Sequence, residues 1–159
     1  MSTEDPTERV RHAASALGLP VEFRERGAAS SLAEAAALLG VTPADIVKTL
    51  VVKRSDGTYL FALVPGDREI EWPKLRAVVG VNKLRLPDAA DALAATGYER
   101  GTIVPLGATT AWPVFADERI RGRRVAMGAG AHGYSVFVEA DALLSALEAT
   151  VADISRAAD

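Results

Sequence analysis

Ile46-Val-Lys-Thr-Leu-Val-Val-Lys53, then Asp56-Gly57, then Tyr59-Leu-Phe-Ala-Leu-Val64, is the stretch whose reading decides the fold. The first run is β-branched and too short for an isolated helix. Two such runs around Asp-Gly predict a β-hairpin, and the flanking residues allow a loop longer than two. Side chains alternate across a strand, so Lys48 shares a face with Leu50 and Val52, while Thr49 shares the other with Val47, Val51 and Lys53. An ammonium beside two aliphatic side chains either snorkels to water at a strand end or sits in a cleft where its charge has a task. The pattern alone favours snorkelling, because lysines are usually solvated.

Upstream of the hairpin, Asp5-Pro6 reads as an N-cap with proline in the first turn, and Val10, Ala13, Ala14 and Leu17 keep helical spacing up to Gly18. Residues 21–25 alternate like a half-exposed strand. Ser31-Leu-Ala-Glu34 is a capping box that opens an alanine-rich helix ending at Gly40, and Thr42-Pro43-Ala-Asp45 opens a further turn. Downstream, the spacing predicts short helices over residues 73–79 and 88–95, closed by Gly80 and Gly97. A loop follows over 98–107. Strands are predicted at 113–116, 124–127 and 134–138. Residues 140–157 read as a last helix with a stripe of Leu143, Leu144, Leu147, Val151 and Ile154. Helices and strands mix without strict βαβ alternation, which predicts an α+β fold with a mixed sheet. With no linker or repeat, residues 1–159 read as one domain.

Composition narrows the function. Apolar residues are 49% and charged residues 25%, a globular profile. Cysteine is absent, which removes disulfides, thiolate metal sites and thiol nucleophiles and fits a reducing cytoplasm. With only His12 and His132, a histidine-rich metal site is not expected. The first residues lack the basic and apolar regions of a secretory signal, and no apolar run spans a bilayer. A net charge of −3 argues against duplex DNA binding by charge alone, yet leaves room for a local basic patch.

Four features are candidates for chemistry. Lys48 is the first. The second is Gly101-Thr-Ile-Val-Pro-Leu-Gly107, whose glycines permit close backbone approach while Pro105 stiffens it, so that its N–H groups can meet a carbonyl or oxyanion. Gly128-Ala-Gly130-Ala-His132-Gly133 formally matches G-x-G-x-x-G, but a strand-like segment follows where a dinucleotide site needs a helix. It reads instead as a strand-to-strand connection, with His132 available to position a substrate or water. The fourth is Arg119-Ile-Arg-Gly-Arg-Arg124, with a looser basic set at Lys74, Arg76, Lys83 and Arg85; either can contact phosphates or be a solvated surface. No nucleophile elbow, P-loop or H-E-x-x-H is present.

Taken in order, Ser31-Leu-Ala-Glu-Ala-Ala, Leu39-Gly-Val, Ile46-Val-Lys-Thr-Leu-Val-Val, Gly66-Asp67, Lys74-Leu75, Gly80-Val-Asn-Lys83, Thr96-Gly-Tyr98, the loop from Gly101 to Gly107 and Gly130-Ala-His-Gly133 closely resemble the YbaK/prolyl-tRNA-synthetase-associated editing domain family. The resemblance implies a mixed, partly barrel-like sheet wrapped by helices. It implies hydrolysis, without a metal or other cofactor, of the ester joining a wrong amino acid to tRNA. A synthetase such as prolyl-tRNA synthetase is an implied partner, and membrane and DNA are not. Lys48 would be the catalytic residue. Thr49, Gly101, Thr102, Pro105, Gly128, Gly130, His132 and Ser135 would contact substrate, and Arg119, Arg121, Arg123 and Arg124 would contact tRNA. Cysteinyl-tRNA(Pro) deacylases of that family carry serine at the position of Gly128, aspartate at that of Ser135 and glycine at that of Thr102. The threonine is therefore expected to shrink or re-polarise the pocket.

Overall fold

The hairpin is the spine of the molecule. In the computed structural model, which describes residues 5–158, β2 (Val47–Arg54) and β3 (Tyr59–Pro65) pair antiparallel, with Lys48 opposite Val64 and Lys53 opposite Tyr59. The loop is four residues long. Asp56 accepts from both the N–H and the hydroxyl of Thr58, and Gly57 takes the positive φ of 86° that the turn requires. β2 and β3 lie inside a five-stranded sheet of order β5-β2-β3-β6-β9, with β6 (Val114–Asp117) and β9 (Thr150–Ala152) parallel to β3. β5 (Leu84–Arg85) touches β2 only at Lys53 and Arg54.

A second, antiparallel sheet joins β1 (Glu22–Glu25), β8 (Tyr134–Glu139) and β7 (Arg124–Gly128). β4 (Arg68–Ile70) and β10 (Ser155–Ala157) form a two-stranded ribbon. A single parallel bridge, Ile46 to Ala126, links the first two sheets. The sheets do not close into a barrel. The helices are α1 (Pro6–Ala16), α2 (Leu32–Leu39), α3 (Trp72–Val79), α4 (Ala89–Thr96) and α5 (Ala140–Ala146). Their caps follow the chemistry read from the sequence: Asp5, Ser31 and Asp88 accept from N–H groups of the first turn, and Gly40, Gly80 and Gly97 close α2, α3 and α4 in the left-handed conformation.

Both faces of the hairpin are buried. Val47, Val51, Phe61 and Leu63 join a core with α1, α4, α5 and the second sheet, while Val52, Leu60, Ala62 and Val64 pack on Leu75 of α3 and Ile154. The expected last helix differs, and β4 and β5 are strands that the sequence pattern does not predict. α5 ends at Ala146, Glu148 takes a φ of 52°, and residues 150–157 become β9 and β10. Thr150 and Val151 are β-branched, and the edges of β6 and β4 pair with residues 150–152 and 155–157, so tertiary pairing overrides a weak helical preference.

Candidate active site

Beside the start of β2 the chain leaves a cleft of about 470 Å³, within the range of small-molecule sites. Its floor is apolar, with Val47, Val51, Ala92, Ile103 and Met127. Its rim is polar and basic, with Lys48, Arg26, Ser30, Arg100 and Ser135. The strand register explains why this edge is open. Ile46 O accepts from Gly66 N and Arg54 N donates to Thr58 O, so the even-numbered residues of β2 turn their main-chain groups toward β3. Thr49 and Val51 therefore present theirs to the opposite side, which β5 leaves uncovered until Lys53.

Lys48 is half-buried at this opening, with Nζ donating to the carbonyl of Arg68. Desolvation pulls its ammonium below the ordinary lysine range, and the carboxylates of Glu69 and Asp67 pull the other way. The Arg68 carbonyl belongs to β4, outside the residues that line the cleft, so the amine is held beside the opening by main chain. Next to it, the hydroxyl of Thr49 is buried with no hydrogen-bond partner, alone in that respect among the described residues.

The loop over residues 101–107 is not a surface connection. Residues 102–106 are buried, and Tyr98, 1% exposed, donates from Oη to Leu106 O at 2.8 Å. Arg9 of α1 lies 4.6 Å over the Tyr98 ring and bonds the carbonyls of Thr96, Gly97 and Gly107. Thr102 does not line the cleft: its hydroxyl and its N–H both donate to Glu99 O. A local turn thus consumes both of its donors. Its carbonyl accepts from Gly130 N, tying the two glycine-containing loops together. At Gly128 a β-carbon would lie 2.7 Å from Ile103 O, so backbone packs on backbone there.

Of the residues singled out in the sequence, Lys48, Thr49, Gly101, Gly128 and Ser135 line the cleft. Thr102, Pro105 and Gly130 stand behind its wall. His132 is an exposed neighbour of Gly101, 3.2 Å from Glu99. Arg119 is tied to buried Asp117 and to Asp153, Arg123 to Asp45 and Arg124 to Glu22; Arg121 bonds the carbonyl of Glu118. Two lining cations were missed in the sequence. Arg26 donates to Ser135 Oγ at 3.1 Å and to Gly27 O, and Arg100 precedes Gly101. Each abuts a glycine that takes positive φ, and that adjacency was the available signal. Among the described residues no group of three or more His, Cys, Asp or Glu is placed to hold a metal, and no helix is long and apolar enough to cross a membrane.

Comparison with known proteins gives this geometry a context. A family model described as an aminoacyl-tRNA editing domain matches residues 26–146. A protein of Enterococcus faecalis named "Putative Cys-tRNA(Pro)/Cys-tRNA(Cys) deacylase EbsC" is 30% identical over 128 residues, covering 80% of this chain and 76% of that protein. A proline–tRNA ligase of Shouchella clausii is 37% identical over 115 residues, which is 72% of this chain but 20% of the ligase. Among solved structures, one described as a hypothetical protein superposes with a TM-score of 0.87 at 29% identity, covering 93% of this chain and 99% of the other. A second, entitled "Crystal structure of a putative trans-editing enzyme for prolyl tRNA synthetase", gives 0.84 at 26% identity, covering 98% and 99%.

Proposed function

The chain belongs to the aminoacyl-tRNA editing domain family, and from that premise we propose that it hydrolyses the ester of a mischarged aminoacyl-tRNA in the cleft beside Lys48. The observation that carries the reading is half-buried Lys48 in the lining of an apolar-floored cleft. An aminoacyl ester is already activated, so charge stabilisation and positioning suffice. Lys48, with one proton engaged by Arg68 O, has donors left for the ester carbonyl or the terminal ribose oxygens. The Thr102 N–H is spent on Glu99 O, which leaves Gly101 and Ile103 as the main-chain donors of that loop for the oxyanion. The open edge of β2 at Thr49 and Val51 offers further main-chain contacts to the aminoacyl group. Water, or a hydroxyl of the substrate, is the nucleophile.

Alanine, serine and cysteine esters, on tRNA(Pro) first, form the panel to test. We expect Lys48→Ala to lower kcat/KM for deacylation by roughly 10²–10³-fold, the usual effect of removing one transition-state donor. Full retained activity overturns the assignment. The rate should also fall on the alkaline side before the ordinary lysine pKa is reached, since burial lowers that of Lys48. Tight binding of charged tRNA without turnover, for every ester in the panel, would favour a non-catalytic delivery module instead.

A further inference from the structure

A second cavity, about 370 Å³, opens at the other end of β2. Its lining holds five cations, Lys53, Arg54, Arg76, Lys83 and Arg85, together with Ser55 and Asn82. They come from β2, from α3 and from the segment leading into β5. Lys53 is 3.5 Å from Asp91 and lies over the Tyr59 ring. Arg54 sits in the field of Asp56. Among the described residues, Arg54, Arg76, Lys83 and Arg85 form no ion pair. On a chain of net charge −3, that is a concentration of uncompensated positive charge, and a concave one, which focuses the field on an anionic partner.

The groove and the cleft share their walls. β2 supplies residues 47–51 to the cleft and Lys53 and Arg54 to the groove; the following segment supplies Leu84 and Arg85 to the groove and Leu86, Pro87 and Asp88 to the cleft. Leu86, 52% exposed, stands at the junction. From Lys48 to Lys53 the strand runs five residues, about 17 Å. That is the reach of about five stacked nucleotides at ~3.4 Å per step.

We infer that this groove docks the sugar–phosphate backbone of the substrate RNA, at the end of the acceptor duplex, and that β2 acts as a ruler between that contact and the ester held at Lys48. The inference rests on the proposed deacylase activity for the identity of the ester, but not for the binding of RNA. A short single-stranded 3′ end spans the strand, Leu86 supplies an apolar surface for a base along the way, and the duplex phosphates meet Lys53, Arg54, Lys83 and Arg85. Phosphate contacts of this kind fix register and orientation without reading sequence.

The experiment compares the 159-residue chain with its Lys83→Gln/Arg85→Gln variant, using an uncharged RNA stem-loop with a single-stranded 3′ end for binding and its aminoacylated form for hydrolysis. Removing two phosphate contacts should reduce the slope of log affinity against log salt by about two and weaken binding roughly ten-fold at moderate salt. It should also lower the ratio of kcat/KM on the charged stem-loop to kcat/KM on a short aminoacyl-nucleotide. Lys83→Arg/Arg85→Lys, which keeps the charge, should restore both. Adding three nucleotides to the single-stranded end should remove most of the difference between wild type and the glutamine variant. An unchanged salt slope overturns the inference, as does an equal loss from Arg121→Gln/Arg123→Gln, or binding to anionic phospholipid vesicles with none to RNA. Wild-type protein that hydrolyses no ester but binds RNA through the groove defeats the deacylase reading and leaves the groove standing.

Discussion

The turn over residues 119–124 and the groove at the end of β2 carry similar numbers of cations and use them in opposite ways. The turn has four arginines in six positions, yet Arg119 is bound to Asp117 and Asp153, Arg123 to Asp45 and Arg124 to Glu22. The groove draws five cations from three separate segments, with Asp91 its one ion-pair partner among the described residues. Local density of charge in a sequence therefore measures little. What matters for an anionic partner is the charge the fold leaves unpaired.

The comparison breaks if the turn proves to be the RNA-binding element, and the largest effect that separates the two is on stability. Asp117 is fully buried and accepts from Arg119, from Ile154 N and from Ser155 Oγ at 2.8 Å. Asp117→Ala takes this acceptor from Ile154 N and Ser155 Oγ and leaves Arg119 with Asp153 alone; it should cost about 2–4 kcal/mol, read from denaturant unfolding, while the salt slope for RNA binding stays as in the wild type. A shift in that slope would give the Asp117–Arg119 network a role in RNA binding.

A smaller effect, confined to acid, sharpens the same point. Lys74 and Arg119 hold the Asp153 carboxyl at a pKa of about 2. The native state thus binds fewer protons than the unfolded state, in which the group titrates near its ordinary value of 3.8. The contribution of Asp153 is complete above about pH 4 and is lost as the pH falls toward 2. Thermal melts across that window should show a shallower acid loss for Asp153→Asn. The smallest effect belongs to the exposed end of the turn: Arg121→Gln/Arg123→Gln should change stability by no more than about 0.5 kcal/mol and leave the RNA salt slope in place. A lowered slope would reverse the assignment of the two regions.

The hairpin, the helix caps and the alternation that singles out Lys48 were readable because each depends on neighbours in sequence. The last helix was misread because Leu143, Leu144, Leu147, Val151 and Ile154 keep a helical period while the open edges of β6 and β4, which recruit residues 150–157, are set by distant segments. The groove was half visible. Arg76, Lys83 and Arg85 were grouped with Lys74, which in the fold turns to Asp153 and Ser155 O instead; Lys53 and Arg54 join only when β5 pairs with β2. Thr102 could not be placed from sequence, because the direction of a side chain in a turn follows from hydrogen bonds such as that to Glu99 O.

The clamp that Arg9 and Tyr98 place on the carbonyls around residues 96–107 makes the far wall of the cleft a continuation of the protein interior. A wall of that kind is adjusted from behind. Trimming a methyl group from Val104 or Leu106, neither of which lines the cleft, would let the wall retreat and enlarge the space in front of it. On the proposed reading, the range of amino acids admitted can then drift over evolutionary time through residues that line no part of the cleft, so an inventory of contacts alone would understate how many positions set the gauge of the sieve.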